Sequence, residues 1–327
     1  MNSPEIEHIK PAGRTDAIIW TEGLTRSFDE EVAVEDVTMS VPRGSIFGFI
    51  GPSGSGKTTT IRLLTGVYRP TAGEIEVLGR DPARFTQATR AMIGYMPQLF
   101  VLYPELTVWE NLNFVSSLYG MKLRRKQRLH EVLSFVELDE HRHKLVRDVS
   151  GGMQRRLSLA ATLVHRPELI FLDEPTAGID PVLRRKFWDH FGELKEAGRT
   201  LFITTQYVSE AIYCDFVGVL SKGRLLVVDT PKALRYQAFG GDIVDFQAEQ
   251  PLSFQHLHAL RELSFVQALP RRVSEAHVRL IVGEAATDIP ELLEWAQAQE
   301  IAVASVEEYM PPFDDVFVEL VEEDNGG

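Results

Sequence analysis

Residues Gly51-Pro52-Ser53-Gly54-Ser55-Gly56-Lys57-Thr58 fit the pattern G-x-x-x-x-G-K-[ST]. Each residue type has a chemical reason to be there. Glycines let successive backbone N–H groups turn inward around a polyphosphate. A helix that follows directly aims its positive end at the same anion. Lys57 is placed to reach β- and γ-phosphates, the Thr58 hydroxyl to ligate Mg²⁺, and Thr59 to join the phosphate-binding loop. Such a loop calls for a metal-side carboxylate at the end of a second buried strand. Leu169-Ile170-Phe171-Leu172-Asp173-Glu174 supplies it. Asp173 would hold the Mg²⁺ shell. Glu174, one residue on, would orient or deprotonate an attacking water.

The elements that must position these groups are legible as hydrophobic patterns. Ser45–Ile50 reads as a buried strand into the glycine loop, and Thr58–Thr65 as the helix out of it. Ala17–Phe28 and Val32–Val41 suit an antiparallel layer, and Glu74–Leu78 alternates like a half-buried strand. Met92–Met96 is another short strand. From Glu105 to Val136 the pattern is helical, with a polar break over Gly120–Arg128. Met153–His165 reads as a helix with Leu157, Ala160, Ala161 and Val164 on one face, closed by Pro167. Leu183–Ala197 is an amphipathic helix, Thr200–Thr204 a buried strand, and Phe216–Leu220 with Arg224–Val228 a terminal hairpin. Alternating strands and helices imply an α/β fold: a mostly parallel sheet with helices on both faces.

Composition shifts near Gly240-Gly241. The tail then reads strand (Ile243–Gln247), helix (Ser253–Leu263), strand (Phe265–Leu269), strand (His277–Val282), helix (Ile289–Gln299) and strand (Ile301–Val306). That order suits a small α+β domain of ferredoxin-like type. The expected division is a polar extension over 1–16, a nucleotide-binding domain over 17–238 and an accessory domain over 239–327.

The chain has 327 residues, 44% of them hydrophobic and 25% charged, ordinary values for a globular protein. The net charge of −13 opposes general attraction to nucleic acid, so no nucleic-acid partner is expected. The basic run Lys122–Arg128 is either a solvated helix start or a contact for headgroups or a partner. The single cysteine, Cys214, cannot form an internal disulfide and fits a reducing compartment. No segment approaches the roughly 18 apolar residues that span a bilayer, and Met1–Asp16 lacks the apolar core of a signal peptide. Any membrane role is therefore expected to run through another protein.

Between the two phosphate-site motifs lies Ser150-Gly151-Gly152-Met153-Gln154. Taken alone it is an ordinary turn and N-cap. Between a P-loop and Asp173-Glu174 it resembles the signature motif of ATP-binding-cassette (ABC) ATPases, over roughly Ile18–Val228. The resemblance implies ATP and Mg²⁺ as cofactors. It implies that Gln98, in Tyr95-Met96-Pro97-Gln98, contacts the Mg²⁺ or water, and that Phe28 stacks on adenine, although a strand-end Phe is equally at home in a core. It places Ser150, Gly151 and Gly152 on the nucleotide of a second cassette, and Asp180, in Ala177-Gly178-Ile179-Asp180, at the dimer interface. Where the family usually has a histidine, Thr204-Thr205-Gln206-Tyr207 presents Gln206, which can hydrogen-bond phosphate or water but cannot take a proton at neutral pH.

That glutamine, with Pro312-Phe313-Asp314-Asp315-Val316-Phe317 near the end, is similar to the drug-resistance, daunorubicin-efflux-like branch of exporter ATPases. The implied function is an ATP-hydrolysing subunit on the cytoplasmic face of the membrane. Its implied partners are an integral membrane permease, received near Gln98 and Glu105–Tyr119, and a second ATP-binding cassette. Two other readings compete. A soluble ABC-type ATPase of translation or repair is opposed by the single cassette and the lack of a heptad insertion. A weakly hydrolysing regulatory module is kept open by Gln206 and opposed by Glu174.

Overall fold

The computed structural model describes residues 14–99, 101–122 and 125–326. They form two compact units, one ending at Val228 and one beginning at Asp229. The basic run is therefore only partly described, since 123 and 124 lie outside these residues, as does most of the expected N-terminal extension.

In the first unit, β1 (Ala17–Phe28) pairs antiparallel with β2 (Glu31–Pro42) and with β4 (Ala72–Val77). A second sheet has six strands. They are β3 (Ile46–Ile50), β5 (Ile93–Met96), β6 (Leu169–Asp173), β7 (Thr200–Thr205), β8 (Phe216–Ser221) and β9 (Arg224–Asp229), in the order β5-β6-β7-β3-β8-β9. The inner pairings are parallel, and β3, β6 and β7 are buried along their whole length. Strands buried on both faces read as continuous apolar runs, and these do. Phe47 and Phe202 stack across β3 and β7 at 5.4 Å between ring centres, with Phe171 of β6 at 5.7 Å from Phe202.

Helix α1 (Lys57–Leu64) follows β3, and α2 (Gln87–Arg90) is a single turn. The long helical stretch divides into α3 (Val108–Leu118) and α4 (Lys126–Phe135), with the break where the polar residues fall. A capping box closes the start of α3: Glu110 N–H donates to the Thr107 hydroxyl while the Glu110 carboxylate accepts from Thr107 N. Helices α5 (Gly151–Leu163) and α6 (Pro181–Glu196) each begin two residues before the expected starts, Met153 and Leu183, because Ser150 and Asp180 cap them.

The second unit runs α7 (Pro231–Phe239), β10 (Asp242–Ala248), α8 (Phe254–Arg261), β11 (Arg271–Arg272), β12 (His277–Val282), α9 (Ala285–Ala298), β13 (Val303–Glu308) and α10 (Phe313–Gly326). Its sheet has the order β11-β12-β10-β13, with antiparallel neighbours. The strand expected at Phe265–Leu269 does not form. Only Val266 makes an isolated bridge, to Val282, and the short β11 takes the place in the sheet. Pro270 explains this: it has no N–H for a ladder, and Leu269 before it is exposed. Helix α9 starts earlier than the expected Ile289, because the Asp288 carboxylate reaches back to Glu284 N at 2.8 Å and caps the first turn.

Candidate active site

The sheet order sets β7 between the strand that enters the glycine loop and the strand that ends in Asp173. In register, Phe49 of β3 lies beside Thr204 of β7, and Thr204 beside Asp173 of β6. Three adjacent carboxyl-terminal strand ends therefore finish at one level, the place where open α/β sheets bind ligands.

The loop is shaped by close backbone approach. A Cβ on Gly51 would lie 2.2 Å from Leu220 O, and one on Gly56, at φ +104°, 2.5 Å from Ala33 O. Lys57 is buried, and its ammonium donates to Gly51 O at 2.8 Å and Pro52 O at 2.9 Å. It also lies 3.5 Å from Glu174 Oε1. Burial lowers its pKa, and Glu174 and Asp173 oppose that shift. Pro52, Ser53 and Gly54 form the exposed lip of the loop, while Ser55 is buried and its hydroxyl has no hydrogen-bond partner.

Asp173 Oδ1 accepts from Thr58 Oγ1 at 3.2 Å and from Thr204 Oγ1 at 2.6 Å. Its Oδ2 is buried and accepts no hydrogen bond. An orphaned carboxylate oxygen beside a threonine hydroxyl fits a small hard cation that takes few protein ligands and completes its shell with phosphate and water. The unpartnered Ser55 hydroxyl likewise fits a phosphate oxygen.

Glu174 has a left-handed backbone, φ +48°, rare for a residue with a side chain. Its N–H is held by Thr204 O and Thr204 Oγ1, both at 3.0 Å, and its Oε2 accepts from Gln98 Nε2 at 3.0 Å. The structure thus brings together Lys57, Thr58, Gln98, Asp173 and Glu174.

Other expected residues stand apart from that hydrogen-bonded group. Ser150 caps α5, its hydroxyl accepting from Met153 N at 3.3 Å, and Gly151 has open space around it. A Cβ on Gly152 would meet Leu183 Cδ2 at 2.9 Å. Asp180 caps α6, accepting from Val182 N and Leu183 N at 3.0 Å each. Gln206 is exposed at the end of β7, and Thr59 is half-buried on α1. Phe28 is half-buried, packed edge-on against Tyr68 at 5.3 Å with the Arg26 guanidinium 4.5 Å over its ring.

Two residues escape the sequence reading. Thr204 reads in the sequence only as a strand residue, yet its hydroxyl joins Asp173 to the Glu174 backbone. Arg155 is buried, and it donates to the carbonyls of Gln98 and Pro175. The sequence carries no clear signal for Arg155: the residues at i+3, i+4 and i+7 from it, Ser158, Leu159 and Thr162, are buried and give α5 a second inward face, but two of the three are polar.

Residues 34–177 match the family described as ABC transporter. The daunorubicin resistance ATP-binding protein DrrA3 of Streptomyces coeruleorubidus is 35% identical over 94% of this chain and 97% of its own length. The chain belongs to the ABC transporter family. The probable multidrug ABC transporter ATP-binding protein YbhF of Escherichia coli (strain K12) is 38% identical over 72% of the chain. The chain spans 41% of YbhF's length. Among solved structures, a dimeric post-hydrolysis state of the ATP-binding cassette MJ0796 bound to ADP and Pi superposes with a TM-score of 0.60 and 25% identity. That likeness covers 65% of this chain and 98% of the cassette. In this chain the glycine loop follows β3, Asp173-Glu174 close β6, and Ser150-Gly151-Gly152 open α5.

Proposed function

We propose that this chain is the ATP-binding and ATP-hydrolysing subunit of an ABC exporter, powering a separate membrane-spanning permease. The observation that supports it most is the hydrogen-bonded set Thr58–Asp173–Thr204 and Gln98–Glu174 at the mouth of the P-loop. Backbone N–H groups within Ser53–Thr59 and the Lys57 ammonium would cradle the ATP phosphates. Thr58 and Asp173 would hold Mg²⁺, with Gln98 beside it, and the ion neutralises charge on the β- and γ-phosphates when bound. Glu174 would accept the proton of the attacking water while Gln98 holds its second oxygen. Phe28 offers an aromatic edge for adenine.

Ser150, Gly151, Gly152 and Asp180 sit at exposed helix starts, as expected of groups that act on the nucleotide of a second cassette paired head to tail. Binding of ATP between two such surfaces favours the closed pair, and hydrolysis releases it. No helix among the described residues is long and apolar enough to cross a membrane. Leu99, Val101, Tyr103, Phe114 and Leu118 are exposed around the Gln98 loop and along α3, an apolar surface suited to a permease helix lying at the cytoplasmic face. The likeness to DrrA3, a daunorubicin resistance ATP-binding protein, supports a drug-resistance role, with the compound chosen by the permease. It also supports an accessory role for 239–327 beside the nucleotide chemistry of 17–238.

The test is phosphate release by the purified chain with Mg·ATP, set against Glu174→Gln. Loss of a general base lowers turnover by about 10²–10⁴-fold, with ATP binding retained. Co-purification from detergent-solubilised membranes then asks for the permease. A chain that hydrolyses ATP yet brings down no multi-span protein would leave a soluble ATPase and remove the transport reading.

A further inference from the structure

We propose that Arg155 is a positioning residue that clamps the Glu174 turn and the Gln98 loop to the first half of α5, and so makes the hydrolytic carboxylate answer to the Ser150 end of that helix. The inference rests on the hydrolytic reading of Glu174.

Arg155 is 3% exposed, and its guanidinium spends its donors on backbone carbonyls of two separate loops. Nε donates to Pro175 O at 2.7 Å, Nη1 to Gln98 O at 2.8 Å, and Nη2 to Glu174 O, with a longer contact to Ala177 O at 3.5 Å. One planar fork thus holds the main chain at both ends of the Gln98–Glu174 side-chain hydrogen bond. Glu174 needs such a hold. A non-glycine residue at φ +48° stores strain and persists only where its surroundings over-determine it. Thr204 fixes its N–H side and Arg155 its carbonyl side. A buried guanidinium is costly without acceptors, which makes the arrangement mutual. Arg155 lies little more than one turn from the exposed N-terminus of α5, where Ser150 is the cap. A tilt of that helix when its end meets a nucleotide moves the guanidinium and, with it, the turn that aims Glu174.

The experiment compares wild type with Arg155→Gln and Arg155→Lys, alone and in the Glu174→Gln background. The neighbouring Arg156→Gln, whose guanidinium faces Val136 and Glu137, is the control. Arg155→Gln is expected to lower kcat by about 10–100-fold with the KM for ATP within about threefold, and Arg155→Lys to fall between. In the Glu174→Gln background neither substitution lowers the residual rate further, because both act through one carboxylate. Amide hydrogen exchange in Glu174–Ala177 accelerates in Arg155→Gln and not in Arg156→Gln. The exchange readout needs no turnover, so it decides whether Arg155 holds the turn even if the wild type fails to release phosphate, a result that sinks the hydrolytic reading instead. Unchanged exchange, or rate losses that multiply with Glu174→Gln, overturns the proposal. If Arg155→Gln does not fold, the same two readouts are taken on Arg155→Lys.

Discussion

Around Lys57, the groups with chemistry to do are buried or bonded to one another, whereas Ser150, Gly151 and Asp180 stand at exposed helix starts, where the Ser150 and Asp180 side chains serve as caps. The first arrangement is a preorganised electrostatic site: the Asp173 carboxylate, the Thr58 and Thr204 hydroxyls and the Glu174 backbone fix one another. The second is a pair of exposed helix starts, where Met153 N–H is taken up by the Ser150 hydroxyl and the Val182 and Leu183 N–H groups by Asp180. The difference teaches that stability and assembly are separable here. Damage to the Lys57 half should be felt by the single chain, and damage to the Ser150 half, beyond the cost of a lost helix cap, when two chains meet over ATP.

Two glycines give the sharpest contrast. A methyl group on Gly51 would sit 2.2 Å from Leu220 O and 2.7 Å from Ser55 Oγ, and the first neighbour is backbone that cannot swing aside. Gly51→Ala should cost about 1–3 kcal/mol or more by overpacking, with nucleotide binding lost as the loop shifts. Gly151 has nothing within 4 Å of the same added atom. Gly151→Ala should leave the monomer at or slightly above wild-type stability, bind ATP normally, and fail to pair. Thermal melting of both variants, with light scattering under ATP in the Glu174→Gln background, checks the contrast. Equal loss of stability at the two positions would erase it.

How much of this was legible beforehand follows from where the information lies along the chain. The P-loop, Asp173-Glu174 and the strand runs are contiguous, and each residue acts within a few positions of its neighbours, so type and spacing suffice. Thr204 and Arg155 act across the fold. Thr204 matters because β7 lies between β3 and β6 in the sheet, an order that no local pattern encodes. Arg155 was hidden by an amphipathic reading that gave α5 a single apolar face, Leu157-Ala160-Ala161-Val164. The helix is in fact buried on two sides, and a charged residue on the second face is explained only by carbonyls contributed from 98 and 174–177. The failed strand at Phe265–Leu269 is the opposite error: its apolar pattern was real, and Pro270 overrode it.

Asp180 tests the exposed half at a smaller scale. Its Oδ1 accepts two α6 N–H groups at 3.0 Å, so Asp180→Ala removes an N-cap worth about 1 kcal/mol. Asp180→Asn keeps a capping oxygen and removes the charge. Melting temperatures should therefore separate Ala from Asn, while turnover separates both from wild type if the carboxylate also acts across a pair. Wild-type turnover in Asp180→Asn would reduce the residue to a cap.

Gln206 carries the smallest structural effect. Its side chain is exposed, while the turn that presents it is held independently: Thr205 Oγ1 donates to the buried Glu210 Oε2 at 2.6 Å and accepts from Tyr207 N at 3.0 Å. Gln206→Ala should thus change stability by less than about 0.5 kcal/mol. A hydrogen bond to a charged phosphate is worth about 1.5–3 kcal/mol, so kcat should still fall by about tenfold or more. Gln206→His sharpens the point. Glutamine cannot titrate near neutrality, and the wild-type pH profile should have no limb from this position. The histidine variant should gain one, with a midpoint near about 6.5. Undiminished turnover in Gln206→Ala would take Gln206 out of the site and leave Glu174 and Gln98 to manage the water alone.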